Sequence, residues 1–192
     1  MQGIRSMLAM ESEPPGWAVP RTVFMTGCMR SGTTFLAGKL SQHPQILHVG
    51  SELKEVWTRI GGAPCDTVCP ARDESHFDVR YAQHMAVYFN QYAREARRWR
   101  RRAMRWRHQR RTGSGRLTYD WERLICLNKS THLTNKIRYV KALFPDSKWI
   151  VLVRSILGNA ASTKMFFNRL HRDKGWYWSM PQTEHACWSV GE

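Results

Sequence analysis

Thr22-Val23-Phe24-Met25-Thr26-Gly27-Cys28-Met29-Arg30-Ser31-Gly32-Thr33-Thr34-Phe35-Leu36 is the stretch whose reading decides the fold. Residues 22–26 alternate β-branched and apolar side chains, the pattern of a buried strand. Gly27 breaks the strand, and Gly32 follows five residues later with two threonines behind it. From Thr33 a helical periodicity opens through Phe35, Leu36 and Leu40. Strand, glycine loop and helix N-terminus together form an anion site, because the first-turn amides lack helical partners and point at whatever sits there. The loop differs from a P-loop, G-x-x-x-x-G-K-[ST], in one respect: Thr33 stands where the phosphate lysine belongs. The cation comes earlier, as Arg30.

The chain beyond this stretch repeats strand and helix. Pro44 ends the first helix, and residues 46–50 read as a second short strand leading to Glu52, Lys54 and Glu55. Residues 61–72, with their glycines, prolines and two cysteines, are irregular. The pattern from 74 to 111 is helical, with Ala82, Met85, Phe89 and Tyr92 as its apolar face. Its second half, 93–111, holds ten arginines, with Trp99 and Trp106 one heptad apart and able to pin a basic rod to the domain. Residues 112–115 end it. Residues 124–127 are a buried-type strand, followed by Asn128-Lys129-Ser130-Thr131-His132 and a helix stopped at Pro145. Residues 148–153 are the clearest strand, a continuous apolar run of the kind parallel sheets bury on both faces. Arg154 ends it and Ser162 follows eight residues later. Ligand groups at the carboxyl ends of alternating strands indicate a doubly wound α/β domain.

Arg30-Ser31-Gly32-Thr33-Thr34 resembles the phosphosulfate loop of sulfotransferases that use 3'-phosphoadenosine 5'-phosphosulfate (PAPS), which carry Lys or Arg directly before Ser-Gly-Thr-Thr. Arg154 and Ser162 resemble the same family's 3'-phosphate pair, an arginine ending a strand and a serine eight residues on. Lys129-Ser130 and Phe144-Pro145-Asp146-Ser147-Lys148 are similar to the family's lead-in segments. Two departures stand out: the usual Arg-Asp-Pro is Arg154-Ser155-Ile156, and Thr131 replaces the proline after Lys-Ser. Both weaken loop rigidity more than ligand contact. The resemblance covers about residues 20–60 and 122–165.

It implies a three-layer P-loop-like α/β fold with a mostly parallel central sheet flanked by helices. Residues 1–20 are then a flexible leader and 21–192 a single domain of bacterial or carbohydrate type. A basic helical insertion occupies about 73–112, and the C-terminal part, rich in tryptophan from 176 to 188, reads as incomplete. The implied activity is sulfuryl transfer from PAPS to a hydroxyl or amine of a sugar, lipid or small-molecule acceptor. The amides of Ser31, Gly32, Thr33 and Thr34 hold the 5'-phosphosulfate, Arg30 stabilises the bridging oxygen, and Arg154 and Ser162 select the 3'-phosphate. Glu52 is the favoured base, with Glu55 second by position. His132, one residue out of step with the histidine of cytosolic relatives, is the runner-up.

Composition bounds the alternatives. A chain of 192 residues, 42% hydrophobic and 11% aromatic, suffices for one α/β core. No apolar run approaches bilayer length and no signal-peptide core is present, so the reading expects a cytoplasmic enzyme without a transmembrane segment. Five cysteines form no even disulfide framework. Cys65 and Cys69, with no second ligand pair nearby, read as free loop cysteines rather than a zinc site, and no metal is expected. A net charge of +15 exceeds what one anionic co-substrate calls for. The arginine-rich helix is therefore read as solvated or facing an anionic acceptor, ahead of nucleic acid, since no nucleic-acid module surrounds it. A P-loop kinase would want lysine at position 33 and a metal-binding aspartate ending a strand. A non-catalytic or truncated nucleotide-binding domain, its basic helix binding polyanions or nucleic acid, is the other alternative, and it would not need Arg30, Arg154 or Ser162.

Overall fold

The computed structural model describes residues 21–43, 45–50, 52–64, 71–112 and 124–174, with side chains described except at 97–112, 170 and 174. The elements are β1 (Thr22–Gly27), α1 (Thr33–Leu40), β2 (Ile46–His48), α2 (Lys54–Arg59), a 3₁₀ turn (Glu74–His76) and α3 (Val79–Thr112). There follow β3 (Ile125–Lys129), a second 3₁₀ turn (Thr131–Lys136), α4 (Ile137–Leu143), β4 (Lys148–Leu152) and α5 (Ile156–Lys174). The four strands form one sheet in the order β2-β3-β1-β4, and every neighbouring pair is parallel.

β1 lies in the interior of that sheet, and its period of two fills both layers. Phe24 points to the face covered by α2, α3 and α4, where its ring centroid lies 5.2 Å from those of Phe144 and Trp149, 5.8 Å from Trp57 and 6.0 Å from Phe89. Met25 points the other way, against Ala37 of α1 and Leu127 of β3. Such aromatic clusters hold by area and by edge-to-face geometry. α3 docks through Ala82, Met85, Ala86, Phe89 and Ala93, the face expected from its periodicity. Among the described residues no helix is long and apolar enough to cross a membrane.

Three expectations shift in detail. The second strand closes at His48 rather than Gly50. The helical stretch from 74 divides into the 3₁₀ turn and α3. β4 is not buried on both faces: Val151 is 49% and Val153 90% exposed. β4 ends the strand order, so it is paired along one side only among the described residues, and its apolar run outlasts its cover. The leader 1–20, Pro44, the Cys65–Cys69 pair, the end of the basic helix at 113–115 and the tryptophan-rich stretch 176–188 lie outside the described residues. So do the side chains of Trp99, Trp106 and most of the arginines around them.

Candidate functional site

The carboxyl ends of all four strands converge on one edge of the sheet, where doubly wound sheets bind ligands. β1 delivers the glycine loop. Gly27 sits at φ 152 in close approach to β4: a Cβ there would lie 2.5 Å from the Leu152 backbone oxygen and 2.9 Å from Ser31 Oγ. The loop tightens through the Ser31 amide, which donates to the Cys28 carbonyl (3.1 Å). Arg30 takes a left-handed conformation (φ 66) and Gly32 another (φ 101), after which α1 begins. Thr33 is buried, whereas Gly32 and Thr34 face solvent. Ser31 Oγ is buried with no partner among the described residues. An unsatisfied hydroxyl beside first-turn amides is the donor set an anion would complete.

β4 delivers Arg154, whose Nη1 donates to the Arg30 carbonyl at 2.9 Å. The 3'-phosphate candidate therefore reaches the glycine loop itself. The residue after it, Ser155, accepts from the Gly158 amide through Oγ (3.2 Å) and so caps α5. The rigidity attributed to a missing Arg-Asp-Pro is supplied by this cap. Ser162 stands half-buried in the second turn of α5. The Arg30 guanidinium lies over the Phe166 ring, 4.6 Å from its centroid.

β2 and β3 deliver the acid–base groups, and here the structure joins what the sequence held apart. Glu52 and His132, considered as rivals, are bonded: His132 Nε2 is 3.0 Å from Glu52 Oε2. Lys129 Nζ donates to Glu52 Oε1 at 2.8 Å, and Thr131 Oγ1 donates to the same oxygen at 3.2 Å. Thr131, read as a loss of proline, thus contributes a hydroxyl donor that proline lacks. Glu55, the positional second choice, instead pairs with Arg59 on the surface of α2. Asn128 ties the assembly together, accepting from Trp57 Nε1 (3.2 Å) and donating to the Val49 carbonyl (3.1 Å). Leu53, a non-glycine residue at φ 52, turns the chain beside Glu52. The 3₁₀ turn after β3 abuts the end of β1, with Thr134 Oγ1 2.8 Å from Thr26 Oγ1 and the Ser130 amide donating to the Met25 carbonyl (2.9 Å).

A family model described as "Sulfotransferase family" matches residues 20–190. The chain belongs to the sulfotransferase family. No curated protein and no solved structure matches it. Family membership implies a sulfonate donor and an acceptor. In this sulfotransferase the residues missed by the sequence reading are Lys129 and Thr131 as partners of Glu52, and Phe166 beneath Arg30. The Lys-Ser-Thr-His spacing carried the signal for the first two.

The hydrogen bond from His132 and then that from Lys129 hold the Glu52 carboxyl down from its ordinary 4.5 to about 2, against the opposing pull of burial. His48 is pushed down by burial first and by the charge of Lys129 second, both of which disfavour its charged form. A depressed carboxyl stabilises the fold fully above its unfolded value, and the contribution disappears as pH falls from about 4.5 through about 2. At a carboxylate one-quarter exposed, that contribution is about 2 kcal/mol after solvent screening. Urea unfolding of wild type and Glu52→Gln from about pH 7 to about pH 3 checks this: the gap between the two narrows as pH drops. A constant gap would show that the carboxylate's charge is irrelevant to stability.

Proposed function

We propose that this chain transfers a sulfuryl group from PAPS to a hydroxyl or amine of an acceptor. The observation that carries the reading is the glycine loop with its orphaned Ser31 hydroxyl, tied by Arg154 to the end of β4, facing the same edge as the Glu52–His132 pair. Amides from Gly32 to Thr34 and the Ser31 hydroxyl receive the 5'-phosphosulfate, whereas the Ser31 amide, expected to join them, is taken up by the Cys28 carbonyl. Arg154 and Ser162 receive the 3'-phosphate, the group that distinguishes PAPS from ATP.

His132 is the proton acceptor in this reading, and Glu52 holds it. A carboxylate near pKa 2 with three donors is a poor base but a strong orienting partner. With His132 Nε2–H donating to Glu52, the neutral ring presents Nδ1 as its acceptor, the logic of a carboxylate–histidine dyad. His132 takes the proton from the acceptor as the acceptor's oxygen or nitrogen bonds to sulfur. The bond from sulfur to the bridging oxygen breaks, and Arg30 neutralises the charge growing on the leaving phosphate. Little covalent work falls to the protein; alignment and charge compensation do most of it.

Calorimetric titration with 3'-phosphoadenosine 5'-phosphate, the desulfonated product, tests the reading. Affinity in the micromolar range is expected, with much weaker binding of ATP. Arg154→Ala should weaken binding roughly tenfold or more, as when a charge-assisted contact is lost. A folded chain that ignores this nucleotide, or binds ATP equally well, would overturn it.

A further inference from the structure

We propose that Phe166 is a positioning residue for Arg30, and through it sets how strongly the site reads the 5' end of its nucleotide. The inference rests on the donor reading above. Arg30 is gripped at both ends by the segment that follows β4. Its carbonyl accepts from Arg154 Nη1 at 2.9 Å, and its guanidinium carbon stands 4.6 Å from the Phe166 centroid. Between these two holds the backbone takes the left-handed conformation at φ 66, which an arginine adopts only when its surroundings impose it.

The choice of an aromatic ring has a chemical consequence. An ion pair would occupy the guanidinium's N–H groups. A ring attracts the cation through its face and leaves the N–H groups at the guanidinium edge free to donate to a phosphate. Phe166 also lies four residues after Ser162 on α5, so the two share a helix face. One helix thus presents the 3'-phosphate hydroxyl and, a turn later, the ring that aims the cation of the 5' loop. Phe167, whose ring centroid is 5.3 Å away, braces that ring edge-on.

The experiment uses the full chain and two probes, 3'-phosphoadenosine 5'-phosphate and adenosine 3'-monophosphate, which lacks the 5' group. Both are titrated calorimetrically into wild type, Phe166→Leu and Phe166→Tyr. Phe166→Leu should weaken the bisphosphate about three- to tenfold while leaving the monophosphate within about twofold, and Phe166→Tyr should restore the wild-type ratio. Retained monophosphate binding shows that each variant keeps its folded site. A leucine variant with the wild-type ratio overturns this inference alone. Equal weakening of both probes also overturns it, because the ring would then support α5 rather than Arg30. Wild type that is folded but binds neither probe overturns the donor reading, and this inference with it.

Discussion

His132→Ala is expected to lower turnover by roughly 10²- to 10⁴-fold, the span over which a positioned general base acts, while nucleotide affinity stays within about twofold. The separation follows from place: His132 belongs to the turn after β3, whereas the groups proposed to hold the nucleotide belong to the loop after β1 and to the segment after β4. The readout is nucleotide release from PAPS across a panel of hydroxyl and amine acceptors. Glu52→Gln should reduce the same rate less steeply, since the imidazole survives without its anchor. It should also cost stability, because Lys129, with a side chain only 8% exposed, is left without its anionic partner. The opposite ranking, an active alanine variant at 132 beside an inactive glutamine variant at 52, would return the role of base to Glu52.

The second large effect is on folding. Gly27→Ala should cost about 3 kcal/mol or more, because the added carbon meets the Leu152 backbone oxygen at 2.5 Å and Ser31 Oγ at 2.9 Å. Neither can withdraw cheaply, since Gly27 and Leu152 are paired in the sheet and Ser31 closes the loop turn. Gly32→Ala is the control. It has a positive φ of 101 but nothing within 4 Å of the added carbon, so backbone strain alone remains, about 1 kcal/mol. Urea midpoints for the pair, with unchanged slopes, measure the difference. Equal midpoints would mean that the close approach to β4 is not what requires glycine at 27.

What was legible in the sequence is what one segment dictates by itself. Strand β1, its loop and α1 follow from alternation, two glycines and a new periodicity within fifteen consecutive residues. Arg154 follows from the end of an apolar run. The partnership of Glu52 with His132 follows from neither segment: it exists because β2 pairs with β3 in the register Ile46↔Ile125 to His48↔Leu127, and because Asn128 fixes the turn after β2. Register of that kind depends on three-dimensional pairing, so two residues eighty positions apart looked like competitors. Thr131 and Ser155 were misread for a related reason. Their hydroxyls matter through particular acceptors and donors, Glu52 and the Gly158 amide, which only the fold supplies. The expected two-sided burial of β4 failed because an apolar run reports what a strand tolerates and not what covers it.

The position of β1 in the sheet also orders events in time. Thr22 pairs with Cys126 and Val23 with Lys148, so β1 waits for partners synthesised more than a hundred residues later. At the roughly 5–20 residues per second of translation, Phe24 and Met25 spend several seconds outside the ribosome without the strands that will flank them. Contacts of such long range are closed late and slowly. α1, α2 and α3, whose hydrogen bonds are local, can form in that interval, and Ala37, Trp57, Met85 and Phe89 give β1 apolar surface before its flanking strands exist.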